Sequence, residues 1–151
     1  MKISEFLKKD YNTTLIALTY ILDKPKSFIL LNQNLDLKEE ESRKLNDIIN
    51  MRKESIPLQY AIGYWEFYNL RLKVDPRALI PRFETEIIVD YIIKSPYRKE
   101  KILDIGTGSG AIALSLAYNL KDSLVIGSDI EDKAISLSLI HISEPTRRYA
   151  I

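Results

Sequence analysis

Cysteine is absent from this 151-residue chain, and histidine occurs once, at His141. The first absence excludes disulfides, thiolate nucleophiles and cysteine metal sites; the second argues against a histidine-based metal centre. Charge of one sign is also missing: 22 Lys and Arg balance 21 Asp and Glu, for a formal net charge of +1. That balance gives no support to a broad electrostatic surface for nucleic acid. No run approaches the roughly 18 apolar residues of a membrane span. The opening MKISEFLKKDYNTT lacks the apolar core of a signal peptide. The expectation is a soluble cytoplasmic protein with no membrane and no direct nucleic-acid partner. What is present suffices for a core, since 46% of residues are hydrophobic and 28% charged. The length fits one ordinary domain, or a small domain plus part of another.

The first sixty residues read as helical. In TLIALTYIL, the spacing puts Leu15, Leu18, Ile21 and Leu22 on one face, with Pro25 as a stop. DLKEEESRKLNDIINMRKES is the clearest helix. Asp36 and Glu39 have the spacing of a capping box, and Leu45, Ile48, Ile49 and Arg52 line one stripe. The pattern changes near Pro57. Leu70, Leu72 and Val74 alternate with Arg71 and Lys73, which predicts a half-buried strand in a hairpin turning through Asn69. Pro76 and Pro81 flank ALI in a constrained loop. ETEIIVDYIIK predicts a helix with Ile87, Ile88, Tyr91 and Ile92 inward. Beyond it, KILDI and LVIGSDI read as short buried strands joined by the apolar helix AIALSLAYNL. Strand, helix, strand in that order predicts a parallel βαβ unit, so the fold class is α/β behind an α-helical start.

The chain has only five glycines, and three of them, Gly106, Gly108 and Gly110, stand at alternate positions in LDIGTGSGAIALSLA. A sharp strand-to-helix turn needs residues that accept positive φ, and absent side chains let a ligand approach the backbone. Gly106, Gly108 and Ala111 also fit G-x-G-x-x-A loosely, as in dinucleotide-binding folds. Charge helps decide between ligands. A carboxylate at Asp104 repels a pyrophosphate but tolerates the sulfonium and ammonium of S-adenosylmethionine, which tilts the reading toward the latter. Asp129, at the end of the second strand, sits where a carboxylate accepts hydrogen bonds from ribose hydroxyls. It supports a nucleoside without choosing between the two cofactors. An NAD-binding domain therefore remains an alternative, as does a methyltransferase acting on another protein or a nucleic-acid base.

D-I-G-T-G-S-G resembles the first motif of class I S-adenosylmethionine-dependent methyltransferases. PLQYAIGYWEFYNLRLKV, ALIPRFETE and ILDIGTGSGAIALSLA, in that order, resemble the bacterial release-factor glutamine methyltransferase family, from near the N-terminus to about Ser136. The resemblance implies an N-terminal helical bundle over residues 1–62 that docks the substrate and a hairpin linker over 63–83. It implies that 84–137 form the first part of a Rossmann-like, parallel-sheet methyltransferase domain. The implied reaction methylates the side-chain amide nitrogen of the glutamine in the GGQ motif of peptide chain release factors, by a monomer. Carried over by position, Gly106, Thr107, Gly108, Ser109 and Gly110 form the cofactor loop, Asp129 holds the ribose, and Arg82 lies on the substrate side. A structural ion pair of Arg82 with Glu84 or Glu86 is the competing role. No metal is implied.

The family's N-P-P-Y motif, which supplies acceptors to the amide NH₂, does not occur here, so no catalytic residue is assigned. After AISLS the chain reads LIHISEPTRRYAI, in which Pro145 breaks any helix begun by Ile135 and Leu137. That string looks like a translated sequencing adapter. Residues 138–151 are accordingly expected to be non-native, with no functional weight on His141 or on Arg147 and Arg148. The chain is expected to be an inactive fragment with an open, apolar sheet edge.

Overall fold

A computed structural model describes residues 1–141 and the backbone of Tyr149 and Ala150. The chain divides into two compact units, Met1–Ile62 and Gly63–Ile151.

The first unit is built from five helices: α1 (Ile3–Lys9), α2 (Tyr11–Leu22), α3 (Lys26–Leu31), α4 (Glu39–Lys53) and α5 (Leu58–Ile62). The Asp10 carboxylate caps α2 by accepting the Thr13 N–H at 3.1 Å. The helix ends at Asp23 in the left-handed region, and Pro25 then opens α3. The buried seam of α2 differs from the predicted one. It runs through Thr13, Thr14, Ala17 and Leu18, whereas Leu15, Ile21 and Leu22 are only partly buried. The reason is a hydrogen bond. The Thr14 hydroxyl donates to the Phe6 carbonyl at 3.1 Å, a second bond to an acceptor that also takes the Asp10 N–H at 3.2 Å, and so ties the buried side of α2 to the end of α1.

The predicted capping box of α4 also shifts. Asp36 is held in a β-bridge with Lys2, so α4 begins at Glu39, and the Lys38 N–H donates to Glu41 Oε2 at 2.8 Å. The predicted stripe forms. Leu45, Ile48 and Ile49 are buried, and Arg52 donates to the Ile56 carbonyl at 2.6 Å.

The second unit opens with an antiparallel hairpin, β1 (Tyr64–Phe67) and β2 (Leu70–Lys73), in register Tyr64↔Lys73 to Phe67↔Leu70. Its two turn residues, Tyr68 and Asn69, have φ of 44° and 61°, as a tight right-twisting turn requires. Positive φ is unusual for tyrosine, and two hydrogen bonds hold this turn to α6 (Glu86–Lys94), while a third, within the helix, steadies one of the acceptors. The Tyr68 N–H donates to Glu86 Oε1 (3.1 Å), its hydroxyl donates to Asp90 Oδ1 (3.2 Å), and Lys94 Nζ donates to Asp90 Oδ2 (2.7 Å). The hairpin is thus packed: Phe67 and Leu72 share a core with Val89 and Leu116.

The predicted inner face of α6 is corrected. Val89 is buried and Ile92 and Ile93 pack beside it, while Ile87, Ile88 and Tyr91 are exposed. The helix is apolar around most of its circumference, so period alone cannot phase it. Glu86 and Asp90, one turn apart, turn it toward the hairpin.

The parallel sheet has the order β3–β4–β5: β3 (Lys101–Ile105), β4 (Leu124–Ser128) and β5 (Tyr149–Ala150). Helix α7 (Ala111–Asn119) connects β3 to β4, which pair from Lys101↔Leu124 to Ile105↔Ser128. Six of the nine residues of α7 are buried, as its composition predicted. Helix α8 (Asp132–Leu139) follows β4.

Two expectations for the sheet change. KILDI is not a buried strand: Leu103 and Ile105 are 59% and 79% exposed, and only the alternate residues Ile102 and Asp104 are half-buried. The edge of β4 expected to be open is paired over two residues, Val125↔Tyr149 and Ile126↔Ala150, leaving the unpaired edge, among the described residues, on β3. The expected non-native segment is described only in part. Ser138 and Leu139 complete α8, whereas Pro145, Arg147 and Arg148 lie outside the described residues. Among the described residues no helix is long and apolar enough to cross a membrane.

Candidate functional site

The turn between β3 and α7 is built from Gly106 to Gly110, and its three glycines all have positive φ. Gly110 is the most constrained. It stands at the N-cap of α7 with φ of 81°, and a Cβ there would lie 3.0 Å from both Leu114 Cδ1 and Ser138 Cβ. Glycine is required by conformation and by space at once.

The turn is folded back onto the end of β4. The Gly106 and Thr107 N–H groups both donate to the Ser128 carbonyl, at 2.8 and 2.9 Å, and the Gly110 N–H donates to the Thr107 carbonyl at 2.8 Å. The Gly108 N–H donates to Asp129 Oδ2 at 2.8 Å, and the Glu131 N–H donates to Asp129 Oδ1 at 3.0 Å. These two backbone donors, Glu131 first and Gly108 second, hold the Asp129 carboxyl below the usual carboxylate range against the opposing effect of burial.

Beside the loop lies an open cleft of about 280 Å³ lined by Ile105, Gly106, Ser128, Asp129 and Ile130. Its walls include two exposed isoleucines, and its one charge is the Asp129 carboxylate. Each oxygen of that carboxylate accepts one backbone N–H and has lone-pair capacity left for a ligand hydroxyl. Four of the five loop amides, those of Gly106, Thr107, Gly108 and Gly110, are already engaged within the protein. A pyrophosphate bound by such loops needs free N–H donors. The donor set therefore fits a nucleoside without phosphates better than a dinucleotide.

The other predicted site residues are placed differently. Thr107 and Ser109 are buried, so their side chains point away from solvent and the loop offers a ligand mainly backbone. Asp104 is not among the residues lining the cleft; its Oδ2 accepts the Thr107 hydroxyl at 2.7 Å. Arg82 is exposed, is not part of the cleft lining, and forms no ion pair with Glu84 or Glu86 among the described residues. Glu86 is engaged by the hairpin turn instead. Sequence reasoning missed Ser128, whose carbonyl anchors the loop, and Gly127. A Cβ on Gly127 would lie 3.0 Å from Thr107 Oγ1, so this glycine makes room for Thr107. Its only sequence signal is a glycine inside an apolar strand. No three His, Asp or Glu residues cluster to hold a metal among the described residues.

Comparison with known proteins places residues 8–63 within the PrmC N-terminal domain model. Over 146 residues the chain is 40% identical to the release factor glutamine methyltransferase of Fusobacterium nucleatum, covering 91% of this chain and 41% of that protein. It is 37% identical over 157 residues to that of Clostridium acetobutylicum, covering 93% and 54% respectively. It is 45% identical over 112 residues to that of Streptococcus pneumoniae, covering 74% and 40%. The chain thus spans about half the length of the curated relatives it matches, or somewhat less.

Proposed function

We propose, from the premise that this chain belongs to the release factor glutamine methyltransferase family, that its loop and cleft hold S-adenosylmethionine. On this reading the protein methylates the side-chain amide nitrogen of the GGQ glutamine in a peptide chain release factor. The observation that carries the cofactor reading is the state of the loop amides. Four of five are consumed internally, and the one charge in the cleft is negative. Asp129 accepts hydrogen bonds from the ribose hydroxyls, and Ile105 and Ile130 supply apolar surface for the base. Gly106 lets the ligand approach the backbone.

When bound, S-adenosylmethionine supplies a methyl group on a cationic sulfur. An amide nitrogen is a weak nucleophile because its lone pair is delocalised, so the protein's contribution is mainly positioning. Of the residues present, the loop and Asp129 position the donor. Arg82, exposed on the loop before α6, is assigned to the substrate side, and residues 1–62 to docking of the release factor. The N-P-P-Y acceptors are not among these 151 residues, and no step of the transfer is assigned to this chain's side chains.

Isothermal titration of the full chain with S-adenosylhomocysteine and with NAD tests the cofactor reading. S-adenosylhomocysteine is expected to bind and NAD is not. Replacing Asp129→Ala is expected to weaken the former by about ten-fold or more, as for a hydrogen bond to a charged group. Binding of NAD with no binding of S-adenosylhomocysteine overturns the assignment.

A further inference from the structure

Thr107 is the most heavily tethered residue of the loop. Its N–H donates to the Ser128 carbonyl, its carbonyl accepts the Gly110 N–H, and its hydroxyl donates to Asp104 Oδ2 at 2.7 Å. It is 7% exposed and seated over the bare Cα of Gly127. An O–H···O⁻ contact of this length is a charge-assisted hydrogen bond, stronger than a neutral one. The next amide along, that of Gly108, is the one that orients Asp129. Asp104 is therefore coupled through Thr107 to the carboxylate in the cleft, while contributing nothing to the cleft wall itself.

We propose that Asp104 is a positioning residue: it fixes the Thr107 hydroxyl, and through Thr107 it holds the Gly108 N–H against Asp129, instead of touching the ligand's ammonium group. This rests on the reading of the cleft as a site for S-adenosylmethionine. The two roles differ in what they require. Positioning needs only an oxygen that accepts the Thr107 hydroxyl, which the side-chain amide of asparagine also supplies. Contact with the ammonium group needs negative charge.

The test is titration of the full chain with two probes. S-adenosylhomocysteine carries the ammonium group, and methylthioadenosine has the same nucleoside thioether without it. Asp104→Asn is expected to leave both affinities within about three-fold of the parent. Asp104→Ala and Thr107→Val are expected to weaken both probes alike, by about five- to fifteen-fold, the loss of one hydrogen bond. Thr107→Ser is expected to restore both. Protection of the Gly108 amide from hydrogen exchange is expected to fall in the Ala and Val variants and persist in the Asn and Ser variants. A generally loosened second unit would instead lower protection in α6 and α7 too. If the Val variant does not fold, the Asn and Ser variants still decide.

Selective loss of S-adenosylhomocysteine in Asp104→Asn, with methylthioadenosine unchanged, overturns the proposal in favour of direct contact. Unchanged affinities in a folded Thr107→Val also overturn it. Failure of the parent chain to bind either probe overturns the cofactor reading, and this proposal with it.

Discussion

Asp104 lies two residues before Gly106 and Asp129 follows β4, and in the sequence both read as carboxylates beside a ligand. Their hydrogen bonds separate them. Asp129 accepts two backbone N–H groups and lines the cleft, whereas Asp104 accepts a side-chain hydroxyl behind it. The glycines were legible because positive φ leaves few other residues eligible. The partner of Asp104 was not, because the direction of a side chain at a strand end depends on where the loop folds back.

His141 makes the same point. It has no evident role in the sequence, yet its Nε2 accepts the Lys73 N–H at 2.7 Å, and its Nδ1 lies 3.1 Å from the Ser138 carbonyl. Both contacts are satisfied by the neutral ring with its proton on Nδ1. Burial, first of all, lowers its pKa; the Lys73 charge acts the same way, and the Ser138 carbonyl opposes both. The folded chain therefore binds fewer protons at this ring than the unfolded chain. The ring's contribution to stability is present above the ordinary histidine value of about 6.5 and is lost as pH falls below it. Urea midpoints at pH 7.5 and 5.5 are expected to fall more for the parent chain than for His141→Gln, the difference isolating this ring from the carboxylates.

At the scale of elements, the hairpin and α6 act as one piece. The hairpin was legible from its two-residue period. The phase of α6 was not, because Ile87, Ile88, Tyr91, Ile92 and Val89 leave several apolar faces to choose from. Polar contacts made the choice: Glu86 and Asp90 receive Tyr68 across the turn. Asp90→Ala removes the acceptor for the Tyr68 hydroxyl and for Lys94 Nζ. Faster hydrogen exchange is expected at the amides of Tyr68, Asn69 and Leu70, with α7 amides unchanged. Equal acceleration in both places would mean that the contact serves the whole unit rather than the turn.

At the scale of the whole molecule, the first unit buries a helical core around Phe6, Leu18, Ile29 and Leu45, and the second carries a three-stranded sheet. Leu103 and Ile105 form an exposed apolar face of β3, and β3 has no partner on its outer edge among the described residues. Exposed apolar strand edges template association with other chains. The full chain is expected to self-associate with rising concentration in light scattering, and Ile105→Lys to reduce that association. A concentration-independent monomer in the parent would show the face to be adequately protected.

The sequence by itself determined the helical start, the hairpin, the strand–loop–helix–strand order and the glycine turn. Each of these is written in local periodicity or in residues whose backbone freedom is exceptional. Only the tertiary structure decided which side of α6 and β3 is buried, which loop amides remain free, and which of two nearby aspartates meets the cleft. Those outcomes depend on hydrogen bonds between residues far apart in the chain, such as Gly108 with Asp129 and Tyr68 with Asp90, which local pattern does not encode.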